Sequence, residues 1–335
     1  MTAMSETPSI AVLGDCCLDL VLYGLPEALP VERELLAASM SMRMGGSGAI
    51  TAHNLSCLGN HVRFVFAGGE DSFAALCRAR LAAAGVDSSR AVVRAASSTG
   101  VTVLLQHAGS RHILTYPGVT SSLGLGDVDL EYLCEARHFH LNSYYLQQKL
   151  SGDLPELLRR IKQRGLTISL DPNDDPADTW DGGIAEALQY VDVLMPNERE
   201  ACRIAGEAGL EGAIARLTRV VPLLVLKRGA RGASAYGDAS QWHLPPWPAA
   251  VVDAIGAGDS FDAGFLHGYL RQWPLEECLA LGNLAGAWST TESGGTDAFA
   301  DAAHLQRMWR EWSGGEAGKE AAAAPRAGRA MPAGH

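Results

Sequence analysis

The sequence predicts an α/β protein: a largely parallel central sheet with helices on both faces, and a small separate sheet placed as a lid over one edge. Three observations carry this prediction. Short apolar runs alternate with helix-period segments over most of the 335 residues. Two pairs of strand-like runs break that alternation. A glycine-rich turn, Asp253-Ala254-Ile255-Gly256-Ala257-Gly258-Asp259, opens an apolar-periodic segment late in the chain.

In chain order, residues 10–13, 62–67, 139–141, 166–170, 191–195 and 221–226 read as buried strands, being short and apolar. Between them, residues 48–58, 73–84, 154–164, 185–190 and 198–205 carry helical periodicity. Strands alternating with helices imply a parallel sheet covered on both faces. Residues 18–23 with 34–42, and 100–107 with 111–116, have no helix between them. The second pair flanks Ala108-Gly109-Ser110, a hairpin turn signal. Such strands need another place to pack, and a lid is the natural solution. Alternation of Val101, Val103 and Leu105 predicts that one lid face is buried, and a homodimer is expected to bury it. Residues 313–335 are rich in Ala, Gly and Pro without apolar periodicity and read as a disordered tail.

Composition narrows the function. Apolar residues make up 47% and charged residues 19%, which describes a globular, enzyme-like chain. The formal net charge is −11 and no Lys/Arg run is visible, which argues against nucleic acid or an anionic membrane as partner. No apolar run is long enough for a membrane span. The polar start of the chain lacks an export pattern, so a cytoplasmic protein is expected. Seven scattered cysteines without a Cys-x-x-Cys pair indicate neither a disulfide framework nor a zinc site.

The chemistry concentrates at the late turn. Gly256 and Gly258 let backbone N–H groups converge at a helix start, which is a ready anion site. Asp259 then sets a carboxylate beside the anion. A base next to a phosphate cradle is what phosphoryl transfer to a hydroxyl requires, so Asp259 is the candidate base and the amides of Gly256, Ala257 and Gly258 the candidate anion hole. An ordinary helix N-terminus with an acidic first turn has the same local pattern. Lys227 and Gly229 end a predicted strand on its carboxyl side, where ligands sit in open α/β sheets; Lys227 is either a phosphate contact or part of a solvated loop. Asn197 and Glu200 share a helix face at its start, as a cap with a first-turn acid or as oxygen donors to Mg²⁺ through water. His138 and His140 share a strand face but lack an adjacent third ligand, so core histidines are the better reading. Tyr144 and Tyr145 line the acceptor end or pack.

These motifs together resemble the ribokinase-like, or PfkB-type, carbohydrate kinases over residues 9–312. Gly256-Ala257-Gly258-Asp259 is similar to that family's C-terminal motif. Gly45-Gly46-Ser47-Gly48-Ala49, followed by Leu55 and Leu58-Gly59, is similar to its N-terminal glycine motif. Pro196-Asn197-Glu198-Arg199-Glu200 is similar to its Asn-x-x-Glu motif, and Lys227 to Gly232 to its nucleotide loop. Ile50, Ala74 and Ile255 depart from the usual asparagine, glycine and threonine. The resemblance implies a three-layer α/β/α sandwich with a β-sheet lid and ATP-dependent transfer to a sugar hydroxyl. It implies Mg²⁺ at Asn197 and Glu200, ATP contacts from Lys227, Gly229, Gly232 and Asn283, and a monovalent cation such as K⁺ at Asp253; the alternative for Asp253 is a brace of the loop.

For the acceptor, Asp19 follows the first strand by a short turn near the carboxyl edge of the sheet, where one carboxylate can grip two adjacent hydroxyls; Gly45 and Gly46 allow close approach from the other side. The resemblance points to the same aspartate, and Asp15 competes with it. Nucleoside and phosphosugar kinases are runners-up, the second through Arg43 and Arg111. A dinucleotide oxidoreductase fits poorly, because Gly14-Asp15-Cys16-Cys17 lacks Gly-x-Gly-x-x-Gly. A non-catalytic regulatory protein on the same fold is disfavoured by the intact Gly-x-Gly-Asp.

Overall fold

The computed structural model describes residues 7–107 and 110–314, with side chains of residues 110 and 111 left aside. The main sheet has eight strands. Its parallel part comprises β1 (Ser9–Leu13), β4 (His61–Val65), β9 (His138–Asn142), β10 (Thr167–Asp171), β11 (Val193–Leu194) and β12 (Leu223–Lys227), numbered by their place among all fourteen strands. The order across the sheet is β4-β1-β9-β10-β11-β12, followed by the antiparallel pair β13 (Ala233–Gly237) and β14 (Ser240–Leu244) at the edge.

Alternation along the strands divides the core in two. Ile10, Val12 and Phe64 face one layer, with helices Ser47–Cys57, Ser72–Ala83, Ala257–Tyr269 and Leu275–Ser289. Ala11, Leu13, Leu141 and Leu170 face the other, with the Leu154–Gln163 helix. That helix buries Leu154, Leu157, Leu158 and Ile161, an i, i+3, i+4, i+7 stripe. Each such side chain contributes roughly 1.5–3 kcal/mol on burial, so the stripe outweighs the modest helix propensity of so short a segment. The molecule is therefore the expected three-layer sandwich.

The lid is a four-stranded sheet, β3 (Ser39–Gly45), β2 (Cys17–Leu25), β7 (Gly100–His107) and β8 (Ser110–Tyr116), in that order. Residues 34–38, expected in a strand, lie outside it; β3 begins at Ser39, opposite Tyr23. The buried lid residue on β7 is Leu104, which joins Val21 against Ile255 of the glycine-rich turn. Val101, Val103 and Leu105 lie on the opposite face of the strand and are half-buried in the single chain. A two-stranded pair, β5 (Ala67–Gly69) with β6 (Val92–Arg94), was not anticipated. Helix Ala302–Gly314 carries order through residues 313 and 314; the rest of the expected tail, like Ala108 and Gly109 of the hairpin turn, lies outside the described residues. Among the described residues no helix is long and apolar enough to cross a membrane.

Candidate active site

Gly256 caps the Ala257–Tyr269 helix in the left-handed region, at φ 70°, and a Cβ there would meet Gly295 Cα at 2.7 Å. No other residue satisfies both demands. The helix start it sets carries Asp259 in its first turn, 7% exposed, with Ser47 close enough to favour the charged carboxylate. Burial pushes the Asp259 carboxyl up to about 7; Asp171 and Asp15 raise it further and Lys227 opposes them. A carboxylate titrating near neutrality beside free helix N–H groups can accept a hydroxyl proton while an anion sits on the amides.

Asp19, on β2, lies close enough for the Asp259 charge to act on it. Its carboxylate lies over Gly45, where a Cβ would stand 2.0 Å from Oδ1, so the strand pairing of β2 with β3 requires glycine there. Burial, then Asp15, pushes Asp19 up to about 7, and the Cys17 thiol donates to it at 3.7 Å. Asp15 is used differently. It accepts from the N–H groups of Ser47 and Gly48 at 3.2 and 3.0 Å and from the Ser143 hydroxyl at 2.7 Å. Asp15 thus anchors the start of the Ser47–Cys57 helix, and Gly46 (φ 91°) turns the chain over its carbonyl. Ser143 and Asn173 complete this rim. Both are left-handed non-glycine residues, the Asn173 side chain accepting from Ser143 N–H at 2.8 Å and donating to Ser47 Oγ at 3.0 Å. The sequence reading missed them; Asn after a strand, tolerant of positive φ, was the available signal.

The nucleotide-side candidates fall into three groups. Gly229, at φ 55°, has nothing within 4 Å of a would-be Cβ and leaves an open approach. Gly232 and Asn283 converge on one segment: a Cβ on Gly232 would meet Leu244 O at 2.0 Å, and Asn283 Nδ2 donates to Pro245 O at 2.8 Å. Lys227 stands apart. Its ammonium is bound by Asp171 at 2.7 Å and Asp262 at 3.1 Å, with its stem below Gly258, instead of pointing from a solvated loop.

Asn197 caps the Glu198–Ala205 helix in a reciprocal box: its side chain accepts from Glu200 N–H, and Glu200 Oε2 accepts from Asn197 N–H at 2.8 Å. Burial and then Asp171 push Glu200 up to about 7. The cap is therefore real. Among the described residues no cluster of three or more His, Cys, Asp or Glu forms a metal cage. This donor set suits a Mg²⁺ carried by a polyphosphate and met through water, the second reading of the pair.

Asp253 is tied into its own loop and to the lid. Oδ1 accepts from Ile255 N–H at 3.0 Å and Gln106 Nε2 at 3.4 Å; Oδ2 accepts from Gly294 N–H at 3.2 Å and the Tyr23 hydroxyl at 3.4 Å. The two backbone N–H groups hold the carboxylate most closely, and the Tyr23 hydroxyl also reaches Ser293 and Ser41. Asp253 braces the loop and ties it to the lid. Arg43, proposed for a second phosphate, pairs with Asp297, which also holds Arg80; the side chain of Arg111 is outside the described set. His138 and His140 are core residues sharing Ser169 Oγ at 2.7 and 2.6 Å, and burial pushes them down to about 3 and 4. Tyr144, Tyr145 and Trp180 pack edge to face in the core.

Comparison with known proteins agrees with this geometry. Residues 7–302 match the model of the pfkB family carbohydrate kinases. The chain is 32% identical to a fructokinase of Klebsiella pneumoniae, covering 89% of this chain and 98% of that protein. It is 30% identical to an ATP-dependent ribose-1-phosphate kinase of Halopiger xanaduensis, covering 82% and 88%. A structure from E. coli described as a ribokinase II in complex with ATP and Mg²⁺ superposes with a TM-score of 0.80 at 23% identity, over 91% of this chain and 99% of that one. The chain belongs to the pfkB family of carbohydrate kinases.

Proposed function

We propose that the protein transfers the γ-phosphoryl group of ATP to a hydroxyl of a small sugar. The observation that carries this reading is a pair of buried carboxylates close enough for one charge to act on the other, Asp259 at a helix start and Asp19 on the lid, beside the linked Ser47, Ser143 and Asn173. Asp19 would grip the polyol and Asp259 would take the proton of the reacting hydroxyl. The amides from Gly256 to Asp259 would hold the transferring oxygens, in a geometry that exists before substrate arrives. Gly229 would line the nucleotide cleft, with Gly232 and Asn283 shaping its wall through the 244–245 segment. Mg²⁺, brought with ATP, would neutralise phosphate charge, and Asn197 and Glu200 would orient its waters. The named relatives support kinase chemistry, and the ATP- and Mg²⁺-bound structure supports the same co-substrate pair.

The exposed face of the lid carries Met40, Met42, Leu114 and Tyr116, next to half-buried Val101 and Val103. We assign its cover to a second copy of the chain, and sedimentation should give a dimer; a monomer at micromolar concentration overturns that assignment.

The central test is ATP-to-ADP turnover across free aldoses and ketoses, phosphosugars and nucleosides. Turnover with a free sugar is the expected result. Turnover with nucleosides or phosphosugars alone overturns the acceptor, and turnover unaffected by Asp259→Asn overturns the base.

A further inference from the structure

Three ionisable groups that come from distant parts of the chain meet directly below the glycine-rich turn. Asp171 ends β10, Lys227 ends β12, and Asp262 lies one turn beyond Asp259 on the same helix face. Lys227 Nζ is 2.7 Å from Asp171 Oδ2 and 3.1 Å from Asp262 Oδ2. Both carboxylate side chains are fully buried and the lysine side chain is 13% exposed. A Cβ on Gly258 would lie 3.6 Å from Nζ, so the ammonium supports the anion-hole turn from beneath.

Asp262 Oδ1 is buried without a hydrogen-bond partner among the described residues, so that carboxyl has only the Lys227 contact at Oδ2. Burial drives Asp262 well above the carboxylate range. Burial alone would raise Asp171 too, but the Lys227 ammonium overrides it and holds that group low. Asp262 therefore holds its proton, and Lys227 with Asp171 forms a buried ion pair. Such a pair is a poor route to stability, because desolvation offsets the attraction. Its position explains it better.

We propose that Lys227 is a positioning residue for the candidate base: clamped by Asp171 and Asp262, it fixes a positive charge below Gly258 that keeps Asp259 ionised, and it does not bind nucleotide phosphate. The inference rests on Asp259 being the base. The charges facing Asp259 are Asp15 beyond β1, Asp19 on β2, Asp171 on β10, Lys227 on β12 and Asp262 on its own helix, with Glu200 facing Lys227 from the 198–205 helix. Lys227 is the one cation in this set. Its removal therefore raises the Asp259 titration, and removal of Asp171 lowers it.

The test reads that titration without substrate, from the carboxyl carbon shift of full-length protein labelled at aspartate, with the signal assigned by its loss in Asp259→Asn. Lys227→Met is expected to move the Asp259 midpoint up by a pH unit or more. Asp171→Asn should move it down, Asp262→Asn should leave it nearly fixed, and the charge-neutral double variant K227M/D171N should lie above Asp171→Asn. Should Lys227→Met fail to fold, Asp171→Asn against the double variant isolates the same charge. Unmoved midpoints overturn the inference. So does a tenfold rise in the ATP KM of the double variant over Asp171→Asn, which would make Lys227 a phosphate contact. A base elsewhere than Asp259 would show separately, as turnover retained by Asp259→Asn.

Discussion

Asp259 on the main domain and Asp19 on the lid lie close enough for the one charge to act on the other, and both are pushed by burial to about 7. Their supports differ. Asp259 sits on a helix locked between two others, above a lysine–aspartate pair, with Ser47 and the helix amides beside it. Asp19 sits on a lid strand, held by one long thiol contact and by the backbone of Gly45. A group surrounded by fixed charges suits a step that moves a proton. A group with unfilled acceptor sites suits a ligand that brings its own hydroxyls.

The comparison breaks first at the floor. Asp259→Asn should lower kcat by about 10²–10⁴ with both KM values close to native, as initial rates would show. Lid variants should act on the acceptor alone. Asp19→Ala should raise the acceptor KM about 10- to 100-fold, from roughly 1.5–3 kcal/mol of lost hydrogen bonding, with the ATP KM unchanged. Gly45→Ala should reproduce that split, since the added methyl displaces the Asp19 carboxylate. Should either lid variant lower kcat as Asp259→Asn does, the two carboxylates do not divide the work.

The acid limb of activity sharpens the contrast. Asp259 must be ionised to accept a proton, so turnover should fall as pH drops through about 7. Stability runs the other way. A carboxyl with a folded pKa above its unfolded value binds more protons folded, so it costs stability as pH rises from about 4 through 7. Asp259→Asn should therefore unfold at a higher temperature than the parent at pH 8 and at nearly the same temperature at pH 4. A smaller effect is expected from Glu200→Gln: a higher Mg²⁺ requirement with little change in stability, read from a Mg²⁺ titration of rate. An unchanged titration removes Glu200 from the metal's water shell.

What the sequence revealed follows the range of each interaction. The 198–205 helix was legible to the residue, because its cap and first-turn acid are three apart. The glycine-rich turn that opens the Ala257–Tyr269 helix was legible for the same reason. Lys227 was read as a phosphate contact or a loop cation, and its ion pairs were invisible because the partners lie 56 and 35 residues away and nothing local marks them. Asp253 was open between brace and cation site, and its contacts with Tyr23 and Gln106, both lid residues far away in sequence, add a brace that nothing local marks. Residues 191–195 look like a full strand, yet only Val193–Leu194 pairs as one; the Asp192 carboxylate instead takes the Ile168 N–H and Lys162. The edge hairpin β13–β14 went unseen because Ser240–Leu244 mixes exposed and half-buried residues without an apolar run.

The order of strands has a consequence for synthesis on the ribosome. β1 pairs on one edge with β4 and on the other with β9, after which β10, β11 and β12 add in chain order to the same growing edge. A nascent chain can therefore lay down the sheet one strand at a time, each new strand meeting a template already made. The helix bearing Asp259 emerges only after β14. A stalled or truncated product would hold most of the sheet and the whole lid, with an exposed apolar layer where Phe261, Phe265 and Leu266 belong. Such a fragment is a substrate for chaperones before it is anything else.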